Sequence, residues 1–207
     1  MEAVSTAADL DRAAAEQVIE RGGAWVDRRR VQNPDRTLTE GQLLAIHFPP
    51  PNARPASITA SDVIYEDTAL LVLNKPPGVY VTMTPWDATG DVLWATRQFL
   101  AARDGTPPTL HLAHQLDRDT TGVLVLSKDP RANAPLAARF RDHTIHKRYL
   151  TLVAGAPEWD SFESRTGHGR GDHGLFRVYP SEAVGTRLPR SARPIKLMET
   201  RFSVVER

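Results

Sequence analysis

A single carboxylate, Asp117, stands in a polar segment that is followed directly by an aliphatic run. The segment reads His114-Gln-Leu-Asp-Arg-Asp-Thr-Thr-Gly122 and the run is Val123-Leu-Val-Leu126. Threonine hydroxyls can bond to nearby backbone groups, and glycine tolerates a positive φ, so the segment is typical of a tight turn before a buried strand. Such a turn would present Asp117 rigidly at the edge of a core, as a catalytic site requires. By spacing alone, an aspartate that merely caps the turn is the commoner outcome.

This segment resembles the catalytic signature of the RluA-type pseudouridine synthases, which is His-Arg-Leu-Asp, two variable residues, Thr-Ser-Gly and an aliphatic strand. His114, Leu116, Asp117, Thr120 and Gly122 are in register with it, whereas Gln115 stands where the family has arginine. Two further motifs of the family are also present in order. They are Asn74-Lys-Pro-Pro-Gly78, after a predicted hairpin, and Lys147-Arg-Tyr149, followed by Leu152-Val-Ala-Gly155.

The resemblance implies an RNA isomerase that detaches uracil from its sugar, turns it and rejoins it through a ring carbon, without cofactor or metal. Asp117 would be the essential carboxylate, which attacks the sugar, attacks the ring or removes a sugar proton. Each role needs an ionised carboxylate in a largely dry pocket. Tyr149 would stack on the target base, which must first be extruded from its helix at a cost of a few kcal/mol.

Several polar side chains are candidate RNA contacts. Gln115 cannot supply the charge of the family's arginine, and we expect Arg118 to compensate. Lys75 is expected to support the Pro-Pro-Gly turn or to meet phosphate. The full set of predicted RNA-binding residues is His114, Gln115, Arg118, Thr120, Lys147, Arg148, Arg28, Arg29 and Lys75.

The predicted elements around these residues favour an α+β fold, with a mainly antiparallel mixed sheet and a small N-terminal α/β unit. Residues 1–8 lack a core pattern and are predicted to be loose. Helical spacing is found near 9–20, 91–102 and 130–140, and a glycine- and histidine-rich loop is predicted at 167–174. Strands are predicted near 24–26, 43–48, 63–65, 70–73, 123–126, 146–153, 176–179 and 200–205.

The chain is expected to contain two domains joined by a proline-rich segment. Residues 1–50, with Gly22-Gly-Ala-Trp-Val-Asp-Arg-Arg29, resemble a small S-four-type RNA-binding unit. Residues 51–61 are interpreted as a semi-rigid linker because successive prolines favour extended backbone. Residues 62–207 would form the catalytic domain.

The family resemblance continues to Thr200-Arg-Phe202 and implies a further segment that supplies a basic partner for the catalytic aspartate. The sequence ends at Arg207, before such a segment. We therefore interpret the catalytic domain as C-terminally incomplete. The expectation is weak or no activity for this chain alone, with a non-catalytic RNA-binding protein as the alternative function.

Composition limits the remaining classes. The 207 residues include no cysteine, so disulfides and thiolate zinc sites are excluded, and the net charge is only +1. No secretory signal or membrane-length apolar run is evident, which predicts a cytoplasmic protein without membrane contact, expected to be a monomer. Two His-x-x-His pairs, at His111 with His114 and at His143 with His146, raise the alternative of a metal site, but neither has an adjacent carboxylate that completes a hydrolase pattern.

Overall fold

A four-stranded antiparallel sheet organises the central part of the chain in the computed structural model, which describes residues 1–170, 176–187 and 193–207. Its strands are β4 (Val63–Glu66), β5 (Leu70–Lys75), β6 (His111–Leu112) and β7 (Gly122–Ser127), in the order β4-β5-β7-β6. The helices α3 (Val92–Asp104) and α4 (Pro130–Arg141) belong to the same unit. The described residues thus confirm the predicted α+β class with antiparallel sheets.

The core of this sheet follows from alternation along its two central strands. In β5, Leu71 and Leu73 are fully buried, and in β7 the buried pair is Leu124 and Leu126. Leu71 lies opposite Leu126 and Leu73 opposite Leu124, so the four leucines form one apolar layer with α3 residues such as Leu100. Each buried leucine contributes about 1.5–3 kcal/mol to this layer relative to an exposed one.

A charged cluster ties the edge of the sheet to α3. Glu66, at the end of β4, accepts two hydrogen bonds from Arg103 of α3, at 2.7 and 2.8 Å, and a third from Lys128 at 2.6 Å. Hydrogen bonding by Arg103, supported by Lys128, lowers the pKa of Glu66 to about 2. The cluster joins β4, α3 and the residue that follows β7.

The first fifty residues form two helices and a small sheet. The helices are α1 (Glu2–Ala8) and α2 (Arg12–Arg21), and the strands β1 (Ala24–Val26), β2 (Arg29–Val31) and β3 (Leu44–Ile46) are antiparallel, in the order β2-β1-β3. Asp11 caps α2 by accepting from the Ala14 N–H, and Gly22 ends it with φ 92°. Both signals were present in the sequence.

The prediction of a loose N-terminus was wrong. Residues Glu2–Ala8 are helical because buried Val4 packs with Ala15, Ile19 and Ala24, and because the terminal ammonium donates to the Pro34 carbonyl at 2.8 Å. Val4 is the one large apolar side chain of this short segment, which gave too little periodicity to show the helix.

Residues 1–50 contact a turn of the neighbouring segment, Thr84–Ala88, here called the 84–88 turn. Arg21 forms an ion pair with Asp87, and Arg30 donates to the Thr84 carbonyl. The Trp25 indole N–H donates to the Pro85 carbonyl at 2.7 Å, and the Ala88 N–H donates to the Arg21 carbonyl at 2.8 Å. The chain divides into compact units at Lys147 and Arg148, so residues 1–50 and 62–147 belong to one unit. The separate RNA-binding unit and the linker at 51–61 stay predictions.

The second unit, Arg148–Arg207, contains the antiparallel sheet β8 (Ser161–Arg170), β9 (Phe176–Tyr179) and β10 (Lys196–Ser203), in the order β10-β8-β9. The predicted loop at 167–174 was wrong for Gly167–Arg170, which end β8; residues 171–174 lie outside the described residues. A Cβ on Gly167 would lie 2.6 Å from the Ile195 side chain, so glycine here permits close packing.

The strand predicted at 146–153 was also wrong. The described structure has no strand between α4 and β8, and Leu150 and Leu152 are 87% and 99% exposed. The apolar alternation of this segment needs a neighbouring strand to form main-chain hydrogen bonds, and none of the described strands pairs with it.

Candidate active site

Asp117 lies on a turn between β6 and β7. The turn, residues 115–121, is called the Asp117 turn below. Leu116 packs on the apolar core on one side, and the Thr120 N–H closes the turn by donating to the Asp117 carbonyl at 3.2 Å. Gly122, with φ 112°, then leads into β7. The predicted turn before a buried strand is therefore present.

The side chain of Asp117 is exposed, and its carboxylate accepts no hydrogen bond from the part of the chain that the structure describes. The dry surroundings that the sequence predicted for it are not formed by the first unit. Its neighbour Asp119 is paired instead, with Arg118 at 2.8 Å. Asp117 is thus the carboxylate of this turn that is free to meet a ligand.

Lys75 holds the Asp117 turn from inside the protein. Its side chain is fully buried, and its ammonium donates to the carbonyls of Pro76 at 2.9 Å, Arg118 at 2.8 Å and Thr120 at 2.9 Å. An ammonium has three donors, so all are satisfied by main-chain oxygens. Burial lowers the pKa of Lys75, and the negative charges of Asp119 and Asp117 act in the opposite sense.

These contacts correct the prediction that Lys75 meets RNA phosphate. A fully buried ammonium bonded to three carbonyls has no donor left for a phosphate. The alternative expectation, support of the Pro-Pro-Gly turn, agrees with the contact to Pro76. The Gly78 N–H adds to it by donating to the Arg118 carbonyl at 2.9 Å, so the two family motifs are joined through main-chain atoms.

His114 fixes the start of the same turn. Its Nε2 accepts from the Val125 N–H at 3.0 Å, and its ring stacks on Phe140, with centroids 4.5 Å apart. Burial, and next the charge of Lys147, lower its pKa, which favours the neutral ring that this acceptor role needs. The Nε2 of His114 is therefore occupied within the fold, and the predicted role of His114 as an RNA contact stays a prediction.

Arg118 is oriented by its neighbours. Its guanidinium is hydrogen-bonded to Asp119, which is the main cause of its raised pKa, and the nearby Tyr80 acts in the same direction. With five donors, the guanidinium retains capacity for a further acceptor. The predicted role of Arg118 in RNA binding stays a prediction.

Most of the other predicted site residues are exposed, and they are not all on this turn. Gln115 belongs to the Asp117 turn, and Lys147 ends the first unit. Arg148 and Tyr149 belong to the second unit, where Tyr149 is 64% exposed. Thr120 is half-buried, and its main-chain carbonyl accepts a hydrogen bond from Lys75.

Arg28 and Arg29 lie at the tip of the β1–β2 hairpin. Asp27 and Arg28 both have positive φ, 49° and 65°, and Asp27 accepts from the Leu43 N–H at 3.0 Å. A non-glycine residue with a positive φ is strained by roughly 1 kcal/mol, so glycine would fit better at position 28 than the exposed arginine does.

Sequence reasoning overlooked the buried position of Lys75 and the presence of Tyr80. The signal for Lys75 was available, since Leu71, Leu73 and Lys75 alternate with period two and must share the core face of β5. No comparable pattern marks Tyr80, which becomes a neighbour of Arg118 only through the tertiary fold.

Two other classes of site were considered. Among residues 1–170, 176–187 and 193–207, no three histidine, aspartate or glutamate side chains converge as metal ligands would. No helix in these ranges has the length and apolar character needed to cross a membrane.

Comparison with known proteins agrees with the motifs. The family model described as RNA pseudouridylate synthase matches residues 69–188, which include β5, the Asp117 turn and β7. RNA pseudouridine synthase 1 of Oryza sativa subsp. japonica is 38% identical over 155 residues, covering 74% of this chain and 43% of that protein. Ribosomal large subunit pseudouridine synthase C of Escherichia coli O6:H1 is 29% identical over 203 residues, covering 92% and 58%. The chain spans about half the length of these relatives.

Among solved structures, that of human RNA pseudouridylate synthase domain containing 1 aligns with a TM-score of 0.48 and 20% identity, over 77% of this chain and 56% of that one. The family match covers more than half of the sequence and includes the turn that presents Asp117. The chain therefore belongs to the RNA pseudouridylate synthase family, that of the RluA-type enzymes which its motifs resemble.

Proposed function

We propose that the protein converts a uridine in ribosomal or transfer RNA to pseudouridine, with Asp117 as the catalytic carboxylate. One observation carries the proposal: an exposed, unpaired carboxylate stands on a turn whose main chain is fixed by the buried ammonium of Lys75. A catalytic group needs this combination of a free functional end and a rigid support.

The chemistry asks for such a group. The N1–C1′ bond of uridine breaks and a C5–C1′ bond forms, while C5 loses a proton and N1 gains one, so the atoms balance without an oxidant or a second substrate. A carboxylate serves this sequence as the nucleophile toward the sugar or the ring, or as the base toward a sugar proton. All three routes start from ionised Asp117.

The supporting residues are proposed from their exposure and chemistry. Tyr149 has most of its ring available for stacking on the extruded uracil. The cations of Lys147, Arg148, Arg28 and Arg29 are exposed and suited to phosphate contacts, which position RNA without reading its sequence. Gln115 and Arg118, on the Asp117 turn, would contact the RNA beside the extruded nucleotide.

Ribosomal RNA is the first substrate to test. Matched relatives include ribosomal large subunit pseudouridine synthases C and D of bacteria. We further propose that the protein is cytoplasmic and monomeric. Light scattering of the purified protein measures its oligomeric state directly.

The test compares Asp117→Asn with Asp119→Asn. The first replacement removes the proposed catalytic charge, and the second removes a neighbouring carboxylate that is already paired with Arg118. We expect Asp117→Asn to abolish pseudouridine formation and Asp119→Asn to retain most of it. Because the isomerisation leaves the mass unchanged, pseudouridine is detected by mass spectrometry after selective derivatisation of RNA incubated with each variant.

A non-catalytic RNA-binding protein is the second candidate, favoured because the first unit does not surround Asp117 with the dry environment that each catalytic role needs. In that case the wild type forms no pseudouridine, and Asp117→Asn leaves RNA affinity unchanged. Formation of pseudouridine by Asp117→Asn at the wild-type rate would instead remove Asp117 from the mechanism.

A further inference from the structure

A cleft in the first unit is lined by residues outside the Asp117 turn and is not part of the proposed chemistry. It is a shallow cleft open to solvent with a cavity volume of about 30 Å³, so a nucleotide would lie across its mouth. Its lining includes two arginines, two aromatic rings and two carboxylates, namely Arg21, Arg54, Tyr80, Trp86, Asp87 and Asp91. Mixed aromatic and arginine linings are typical of sites for single-stranded nucleic acid.

The lining carries two arginines and two carboxylates, and one of the arginines, Arg54, is unpaired among the described residues. Arg21 is paired with Asp87, which is itself almost completely buried. Asp91 is buried and caps α3 by accepting from the Trp94 N–H at 2.8 Å. Arg54 is exposed and forms no ion pair with any residue of the described ranges, so its charge is available to an anion from solution.

Arg54 is also held in place. Its guanidinium donates to the Pro77 carbonyl at 2.5 Å and lies against Gly78, where an added Cβ would be 3.1 Å from Arg54 Nε. One donor is used in this contact, and the others remain for a phosphate, which guanidinium groups bind in a bidentate manner.

The aromatic residues supply a surface for a base. Tyr80 and Trp86 pack edge to face, with centroids 5.5 Å apart and planes at 74°. Both are half-buried, and both line the cleft. Stacking of a base on such a ring contributes about 1–3 kcal/mol, which is a factor of roughly 5 to 150 in affinity.

Two residues at or near the cleft are neighbours of the Asp117 turn. Tyr80 lies near enough to Arg118, the residue after Asp117, to raise its pKa, and the Gly78 N–H donates to the Arg118 carbonyl at 2.9 Å. A ligand that contacts Tyr80 would therefore lie near Arg118, the residue that follows Asp117.

We propose that this cleft binds one unpaired nucleotide next to the target uridine, with its phosphate on Arg54 and its base on Trp86. The proposal rests on the proposed function for the identity of the ligand as substrate RNA. Binding of single-stranded RNA by the cleft is nevertheless measurable without turnover.

The binding test uses a fluorescein-labelled oligoadenylate of about ten nucleotides with one central uridine, followed by anisotropy. Arg54→Gln should weaken binding several-fold at low salt and reduce the dependence of log affinity on log salt by about 0.7, the value for one single-strand phosphate contact. Trp86→Leu should weaken binding at least 5-fold. The matched controls are Arg12→Gln, an exposed arginine on α2, and Trp94→Leu, a partly exposed tryptophan on α3.

A second measurement avoids dependence on folding of the variants. With the wild-type protein, an abasic nucleotide on one side of the uridine should reduce affinity to the level of Trp86→Leu with the intact probe, and an abasic site three nucleotides away should not. Equal affinities for all three probes overturn the proposal, as do Arg54→Gln and Trp86→Leu variants that bind like their controls.

The two proposals fail separately. If the cleft variants bind normally while Asp117→Asn abolishes isomerisation, the cleft proposal is overturned and the catalytic one stands. If the cleft variants lose binding while the wild type forms no pseudouridine, the cleft proposal stands as an RNA site and the catalytic one is overturned.

Discussion

Replacing Lys75 by methionine tests whether the buried ammonium holds the Asp117 turn. Methionine has nearly the same length and fills similar space but donates no hydrogen bond. The change removes the three bonds to the carbonyls of Pro76, Arg118 and Thr120 and leaves those oxygens without this donor. The apolar neighbours, Leu73 and Leu124, are unaltered.

The expected magnitude follows from these contacts. Hydrogen bonds to charged groups contribute about 1.5–3 kcal/mol each, so three contribute roughly 5–9 kcal/mol. Burying a cation costs several kcal/mol, and methionine avoids that cost. The net loss in the free energy of unfolding is therefore about 2–4 kcal/mol. Displacement of the turn by about 1 Å would lower the single-turnover rate by roughly 100-fold, with a smaller effect on RNA affinity.

Urea denaturation measures the stability change, and single-turnover pseudouridine formation measures the rate. Lys196→Met on β10, where the lysine is exposed, is the matched control and should leave both unchanged. If Lys75→Met unfolds at the wild-type urea concentration and reacts at the wild-type rate, the three contacts do not support the turn and our reasoning is refuted.

Three further predictions concern other parts of the first unit. The folded-state pKa of Glu66, about 2, lies below its ordinary value of 4.5, so its stabilisation is present above pH 4.5 and is lost as the pH falls towards 2. Glu66→Gln should therefore flatten the decrease in the free energy of unfolding across that window and lower stability by about 1–2 kcal/mol at neutral pH. His114→Phe retains a ring but leaves the Val125 N–H unpaired, which should cost about 1–3 kcal/mol in urea denaturation. Arg28→Gly should raise the free energy of unfolding by about 0.5–1 kcal/mol, because φ is 65° there, while lowering RNA affinity in anisotropy.

Each of these changes has a control. Glu163→Gln, at an exposed pair with Arg201, should leave the acid profile unchanged. His111→Phe replaces an exposed histidine and should be neutral. Arg29 does not have a positive φ, so glycine relieves no strain there, and Arg29→Gly should destabilise β2. A stabilised Arg29→Gly, or an unaltered Glu66→Gln profile, contradicts the corresponding argument.

Local signals predicted much of the first unit because they act over a few residues. The Asp11 and Gly22 caps marked α2, and the apolar runs of β5 and β7 marked the central strands. The Asp117 turn was recognisable for the same reason, since its residues are consecutive. The strand that was predicted at 146–153 shows the limit, because pairing depends on a partner strand that the segment does not encode.

The site was less predictable than the turn itself. His114 and Lys75 were expected to face RNA, yet both are occupied by main-chain atoms that arrive from β7 and from the turn. Histidine and lysine are polar and were therefore expected at the surface. An ammonium or imidazole with suitable carbonyl or amide partners is nevertheless stable inside a core. Apart from Pro76, those partners come from residues 11 to 45 positions away, which no local pattern reveals.

The attachment of the first fifty residues to the 84–88 turn engages mostly the backbone atoms of that turn. Arg30 and Trp25 donate to the carbonyls of Thr84 and Pro85, and the Ala88 amide meets the Arg21 carbonyl. Within the 84–88 turn, Asp87 is the residue that contributes its side chain, through its ion pair with Arg21. Substitutions at Thr84, Pro85 or Ala88 that preserve the path of the turn should thus be neutral for this attachment, so related chains can diverge at these positions while keeping the same arrangement.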